Sequence, residues 1–140
     1  MKTFGSTELC EERTVENKME SIKNLLYGER IEKLSFDGLN DGETLVIETR
    51  NSTYRFLVID AISGQGILMG GAFDDSPVSG LLIGVSIEDR NGFRLDTTCL
   101  KIGGRAIFHL DTEIGIERLI TSRITNLFHV RDSKAWKRIA

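Results

Sequence analysis

Residues 44–50 and 53–61 are two runs rich in β-branched and aromatic side chains, with the polar pair Asn51-Ser52 between them. Such side chains favour the pleated, half-buried surface of a strand, and a short polar break between two runs favours a hairpin. A two-residue turn at Asn51-Ser52 sets Leu45 against Val58, Ile47 against Phe56 and Thr49 against Tyr54. All six then share one face. On the other face Glu48 meets Arg55, an opposite-charge cross-strand pair. Slipping the register by one residue would scramble both faces. The pattern therefore demands a common interior for the odd-numbered apolar residues of the first run and the even-numbered ones of the second.

The rest of the body continues the pattern. A turn centred on Gly64-Gln65 brings Phe56 opposite Phe73 and Ile62 opposite Ile67, with Gly70-Gly71 falling mid-strand. Paired glycines there suggest a bulge or bend, which a sheet needs to curl into a barrel. Pro77, the one proline, is assigned to the loop Asp74-Asp75-Ser76-Pro77, so that no strand is interrupted. Residues 81–88 alternate. A three-residue loop Arg90-Asn91-Gly92 sets Ile87 against Leu95 and Glu88 against Arg94; a two-residue turn at Asn91-Gly92 would put Phe93 and Leu95 on the face opposite Ile87. Ala106, Phe108 and Leu110 share one side of the next strand. In a long last strand, about 117–130, Ile120, Ile124, Phe128 and Val130 point one way, and Thr121, Arg123, Thr125 and His129 the other. Seven strands separated by turn residues predict a mainly β fold, an antiparallel meander closing into a small barrel.

The flanks differ. Val15, Met19, Ile22 and Leu26 recur at helical spacing, and Gly28 suits a helix stop, so an amphipathic helix is expected at about 12–27. The end, 132–140, reads as a short basic helix or a flexible terminus. The predicted division is 1–30 helical segment, 31–130 barrel and 131–140 basic tail.

Charge argues against a strongly basic nucleic-acid binder. The net charge is −3; residues 1–43 hold ten acids against six bases, and residues 44–140 eleven acids against twelve bases. No apolar run approaches the ~20 residues of a membrane helix. No apolar signal core follows Met1, so a cytoplasmic location is expected, and the sequon Asn51-Ser52-Thr53 reads as coincidence. Cys10 and Cys99 match no metal spacing and read as reduced thiols.

Chemistry-bearing residues are sparse. The glycines of 64–71 lack the spacing and the following helix of a nucleotide loop. Cys99 has Lys101 two residues away as its one nominated base, and adjacent acids such as Asp74-Asp75 point to opposite sides of a strand. No metal, no cofactor and no catalytic constellation is expected. Arg105, His109, Arg123 and His129 could share one outer face of the last two strands and bind an anion or a nucleic-acid backbone. With Leu45, Ile47, Phe56 and Val58 inside, Val46, Leu57 and Ile59 must face outward and need a cover, either the N-terminal helix or a second subunit.

The stretch 45–56 (LVIETRNSTYRF), with Met69-Gly70-Gly71, Leu100-Lys101-Ile102-Gly103 and Thr121-Ser122-Arg123-Ile124, resembles a group of short uncharacterised bacterial proteins over about residues 34–130. The resemblance implies a bacterial cytosolic β domain and supplies no activity. The leading expectation is a non-enzymatic β-barrel module that forms a homo-oligomer or binds a partner. A nucleic-acid-binding small barrel comes second, and an enzyme with a site in the barrel mouth third.

Overall fold

A computed structural model describes residues 28–71 and 73–131, the side chains of 73–75 excepted. The predicted N-terminal helix, apart from its stop residue Gly28, and the basic tail beyond Arg131 lie outside these residues. The described chain is mainly β, with a single 3-10 turn at Phe36–Gly38 and no α-helix. Its strands are β1 (Glu29–Ile31), β2 (Lys33–Ser35), β3 (Thr44–Thr49), β4 (Thr53–Asp60), β5 (Gln65–Gly70), β6 (Phe73–Asp89), β7 (Gly92–Asp96), β8 (Cys99–Lys101), β9 (Arg105–Thr112) and β10 (Gly115–Val130).

Six of them close an antiparallel barrel in the order β10-β3-β4-β5-β6-β9, with β9 returning to β10. The two long strands make closure possible. β6 pairs with β5 through its first half, then with β7 at Val85–Asp89, while β9 takes the opposite edge. β10 pairs with β9, then with β3, and carries β1 beside Leu127–His129. The β2–β8 ribbon packs Leu34 and Leu100 into the same core.

The interior follows the predicted parity. Leu45, Ile47, Phe56, Val58, Ala106, Phe108 and Leu110 are all buried in one cluster. The tilted Phe56 and Phe108 rings, 5.4 Å apart, sit at its centre.

Most predicted registers shift. Leu45 faces Phe56 and Ile47 faces Tyr54, because the two-residue turn is centred one position earlier, on Arg50-Asn51: Thr49 N–H donates to the Ser52 carbonyl at 2.8 Å, and Ser52 N–H donates to Thr49 Oγ1. The shift is two residues, so the faces survive. Thr53 now stands opposite Glu48, and Val46 opposite Arg55. Phe56 faces Leu68 rather than Phe73, because the turn falls earlier, over residues 61–64, where the Asp60 carbonyl accepts the Gly64 amide and its carboxylate the Ile62 amide. Gly70-Gly71 forms the β5–β6 connection and not a mid-strand bend, both at positive φ. Pro77 lies inside β6, in the gap between the paired positions Phe73 and Val78, where no ladder hydrogen bond is lost. The β6–β7 turn is the two-residue Arg90-Asn91, with Gly92 at φ +109°. Ile87 therefore faces Arg94, and Phe93 and Leu95 point outward after all.

β10 departs furthest from simple alternation. Bulges between Ile120 and Arg123 and between Ile124 and Asn126 each insert one residue. Ile124 and Leu127 consequently enter the core, while Ile120 and Phe128 leave it. His129 turns inward and is 1% exposed.

Candidate interaction surface

Two outer faces of the barrel carry apolar side chains. The first spans β10, β3, β4 and β5. Here Val46 lies between Phe128 and Arg55, and Thr44 between Val130 and Leu57. Val46 and Phe128 are outside the core cluster, yet they are 2% and 1% exposed. The expected partner patch is thereby corrected. Val46 is already buried within the chain, Leu57 is half-buried, and Ile59, in the bulge between Val58 and Asp60, remains exposed.

The second face spans β7, β6, β9 and β10. Phe93 (73% exposed) and Leu95 (54%) project from β7, Leu81 from β6, and Ile116 and Ile120 from β10. The cations of the sequence reading fall among them. Arg105 stands directly across from Arg123, and His109 across from Arg118. Arg123 also reaches Glu88 on β6 at 2.7 Å. Arg105, His109 and Arg123 are thus brought together as expected, but His129 is not. It is corrected to an interior position, where its Nε2 lies 3.0 Å from Glu43 Oε1. Glu43 also accepts the Asn40 amide, and both side chains are buried. Arg118 and Phe93 were missed. Treating Glu113-Ile114 as a two-residue turn, flanked by Thr112 and Gly115, fixes the β9–β10 register and would have placed Arg118 beside His109.

The barrel mouth holds an open cavity of about 450 Å³. Phe56 and Val58 form its floor, Phe36 and Leu82 its walls, and Ser63 and Thr98 part of its rim. Asp37 is the one charged residue of the lining, which contains no histidine, cysteine, lysine or arginine. Such a lining offers apolar contact, hydroxyls and one carboxylate.

Below this rim, Asp96 Oδ1 accepts from the Thr98 hydroxyl and amide, at 2.5 and 2.9 Å. The hydroxyl foremost, then the amide, lowers its carboxyl to about 2. Burial, then the hydrogen bond to Asp96, pushes the Cys99 thiol up. A buried thiol held in its protonated form is a packing group rather than a nucleophile. Among the described residues no three His, Cys, Asp or Glu side chains gather as a metal site, and no helix is long and apolar enough to cross a membrane.

Compared with family models, curated proteins and solved structures, the chain matches none. The geometry of its two outer faces therefore carries the functional reading.

Proposed function

We propose that this barrel is a non-enzymatic interaction module that self-associates through the outer face of β7, β6, β9 and β10. One observation carries the reading: Phe93, Leu95, Leu81, Ile116 and Ile120 all stay exposed on that one face. Single exposed apolar residues are ordinary, but five on adjoining strands are what a partner surface offers. The opposite outer face is the one this reading assigns to cover within the chain, since Val46 and Phe128 on it are buried. Sedimentation velocity from about 5 to 500 μM tests the proposal. A concentration-dependent dimer or higher species, weakened by Leu95→Glu, is expected; a monomer throughout overturns it.

A second reading has its own support. Like charges directly opposite one another destabilise a sheet, yet β9 and β10 set Arg105 against Arg123, with Arg118 on the same face across from His109. Glu88 offsets part of this; a bound polyanion would offset the rest. Fluorescence anisotropy with a short single-stranded oligonucleotide is the test. Binding that falls with salt and weakens in Arg118→Ala is expected. No binding at low salt ends this reading.

A further inference from the structure

We infer that two copies of this chain join edge to edge along β7, on a two-fold axis through Leu95. The inference rests on the self-association reading and narrows it to the β7 border of that face. Among the described residues β7 pairs with β6 alone, and Gly92 to Leu95 are exposed along its length. An open edge with apolar side chains is a template for another strand.

The register on that edge is restricted by three considerations. First, Asp89 and Gly92 flank the two-residue Arg90-Asn91 turn. They form a hydrogen-bonded pair, so Gly92, Arg94 and Asp96 direct their backbone groups at β6, and Phe93 and Leu95 direct theirs to the free edge. An antiparallel partner must pair edge-facing residues with edge-facing residues. Second, an axis through Arg94 satisfies this rule but sets Arg94 against its own copy, a like-charge pair. Third, an axis through Phe93 leaves Leu95 opposite Asn91 and Arg94 opposite Gly92, so that Arg94 gains no opposite charge. An axis through Leu95 instead sets Leu95 on Leu95 and Phe93 on Thr97. It also places Arg94 opposite Asp96 twice, once on each side of the axis. Two opposite-charge pairs and an apolar centre favour this alignment over the other two. It further sets Phe93 of the second copy beside Thr97, which lines the mouth cavity.

The edge is short, so the expected dimer is weaker than one of standard interface size. Cross-linking tests the alignment in a Cys10→Ser background, with the buried Cys99 retained. Leu95→Cys, Arg94→Cys and Phe93→Cys are each oxidised at about 200 μM. Hydrogen-bonded partners on neighbouring strands lie about 5.5 Å apart at Cα, within disulfide reach. Leu95→Cys is expected to give several-fold more covalent dimer than either neighbour, and Arg94→Glu to weaken the unlinked dimer at least tenfold. A concentration-dependent dimer in which position 93 or 94 cross-links best, or in which position 95 does not link, overturns the alignment and leaves self-association standing. A monomeric parent chain overturns both.

Discussion

The two outer faces of this barrel obey the same alternation and end in opposite states. On β10, β3, β4 and β5 the outward Val46 and Phe128 are as buried as the core itself. On β7, β6, β9 and β10 the outward Phe93, Leu95 and Ile120 stand in solvent. Strand periodicity assigns a side chain to a face, but it does not state what lies over that face. Burial separates an apolar residue that completes the domain from one that remains available to a partner.

The largest expected effect sets the two faces directly against each other. Phe128→Ala is expected to cost about 3–5 kcal/mol, the range for truncating a buried aromatic. Phe93→Ala is expected to stay within about 0.5 kcal/mol, as surface changes usually do. Urea denaturation at low protein concentration measures both. Equal losses would mean that the two faces are covered alike and would remove the distinction.

Much of the architecture is legible in the residues. The parity of Leu45, Ile47, Phe56 and Val58 names the core correctly, although their pairing is two residues off, because a two-residue error preserves faces while a one-residue error does not. Phe93 and Leu95 show the one-residue case: the expected three-residue loop brings them inside, and the Arg90-Asn91 turn puts them out. His129 is turned away from the face of Arg123 by the bulge between Ile124 and Asn126, in a strand whose sequence has no glycine or proline inside it to announce one. The fate of Val46 was illegible for a different reason. Its face was assigned correctly, and cover from elsewhere in the chain is a tertiary fact. Arg105 and His109 share a face because they alternate with Ala106 and Phe108, and Arg123 joins them because it pairs with Arg105 beyond the bulge.

A smaller effect probes the polar group inside the covered end. Glu43→Ala removes the acceptor of both the Asn40 amide and the His129 ring. Leaving these groups buried without a partner is expected to cost about 1–3 kcal/mol. Glu43→Gln keeps an acceptor at that position and is expected to lose less. If the two variants unfold at the same urea concentration, the carboxamide fails to replace the hydrogen bonds and the carboxylate charge is what matters.

The turn after β7 gives a pH-dependent effect beside the exposed edge. The folded carboxyl of Asp96 titrates at about 2, below the unfolded value near ~3.9. A lowered folded value means that the contribution of this group is complete above about pH 4 and is lost as pH falls toward 2. Thr98→Val removes the hydroxyl, the largest cause of the shift. The Asp96 titration, followed by carboxyl carbon NMR, is then expected to rise toward the ordinary range while the fold persists. An unchanged titration would assign the lowering to the Thr98 amide alone.

The smallest effect sharpens the comparison most. Glu88 and Arg123 lie 2.7 Å apart on the open face, with about half of each side chain in solvent. An exposed pair of this kind couples by about 0.2–1 kcal/mol. A double-mutant cycle with Glu88→Gln and Arg123→Gln, read by urea unfolding at 1 μM protein, is expected to fall in that range and to shrink in high salt. Repeated at 300 μM, the same cycle reports on the face itself. If a second copy covers part of β6 and β10, the pair loses water and its coupling grows with protein concentration. If copies meet along the β7 edge alone, Glu88 and Arg123 stay wet and the coupling does not change. Concentration dependence of this one small number therefore distinguishes association over the sheet face from association along its edge.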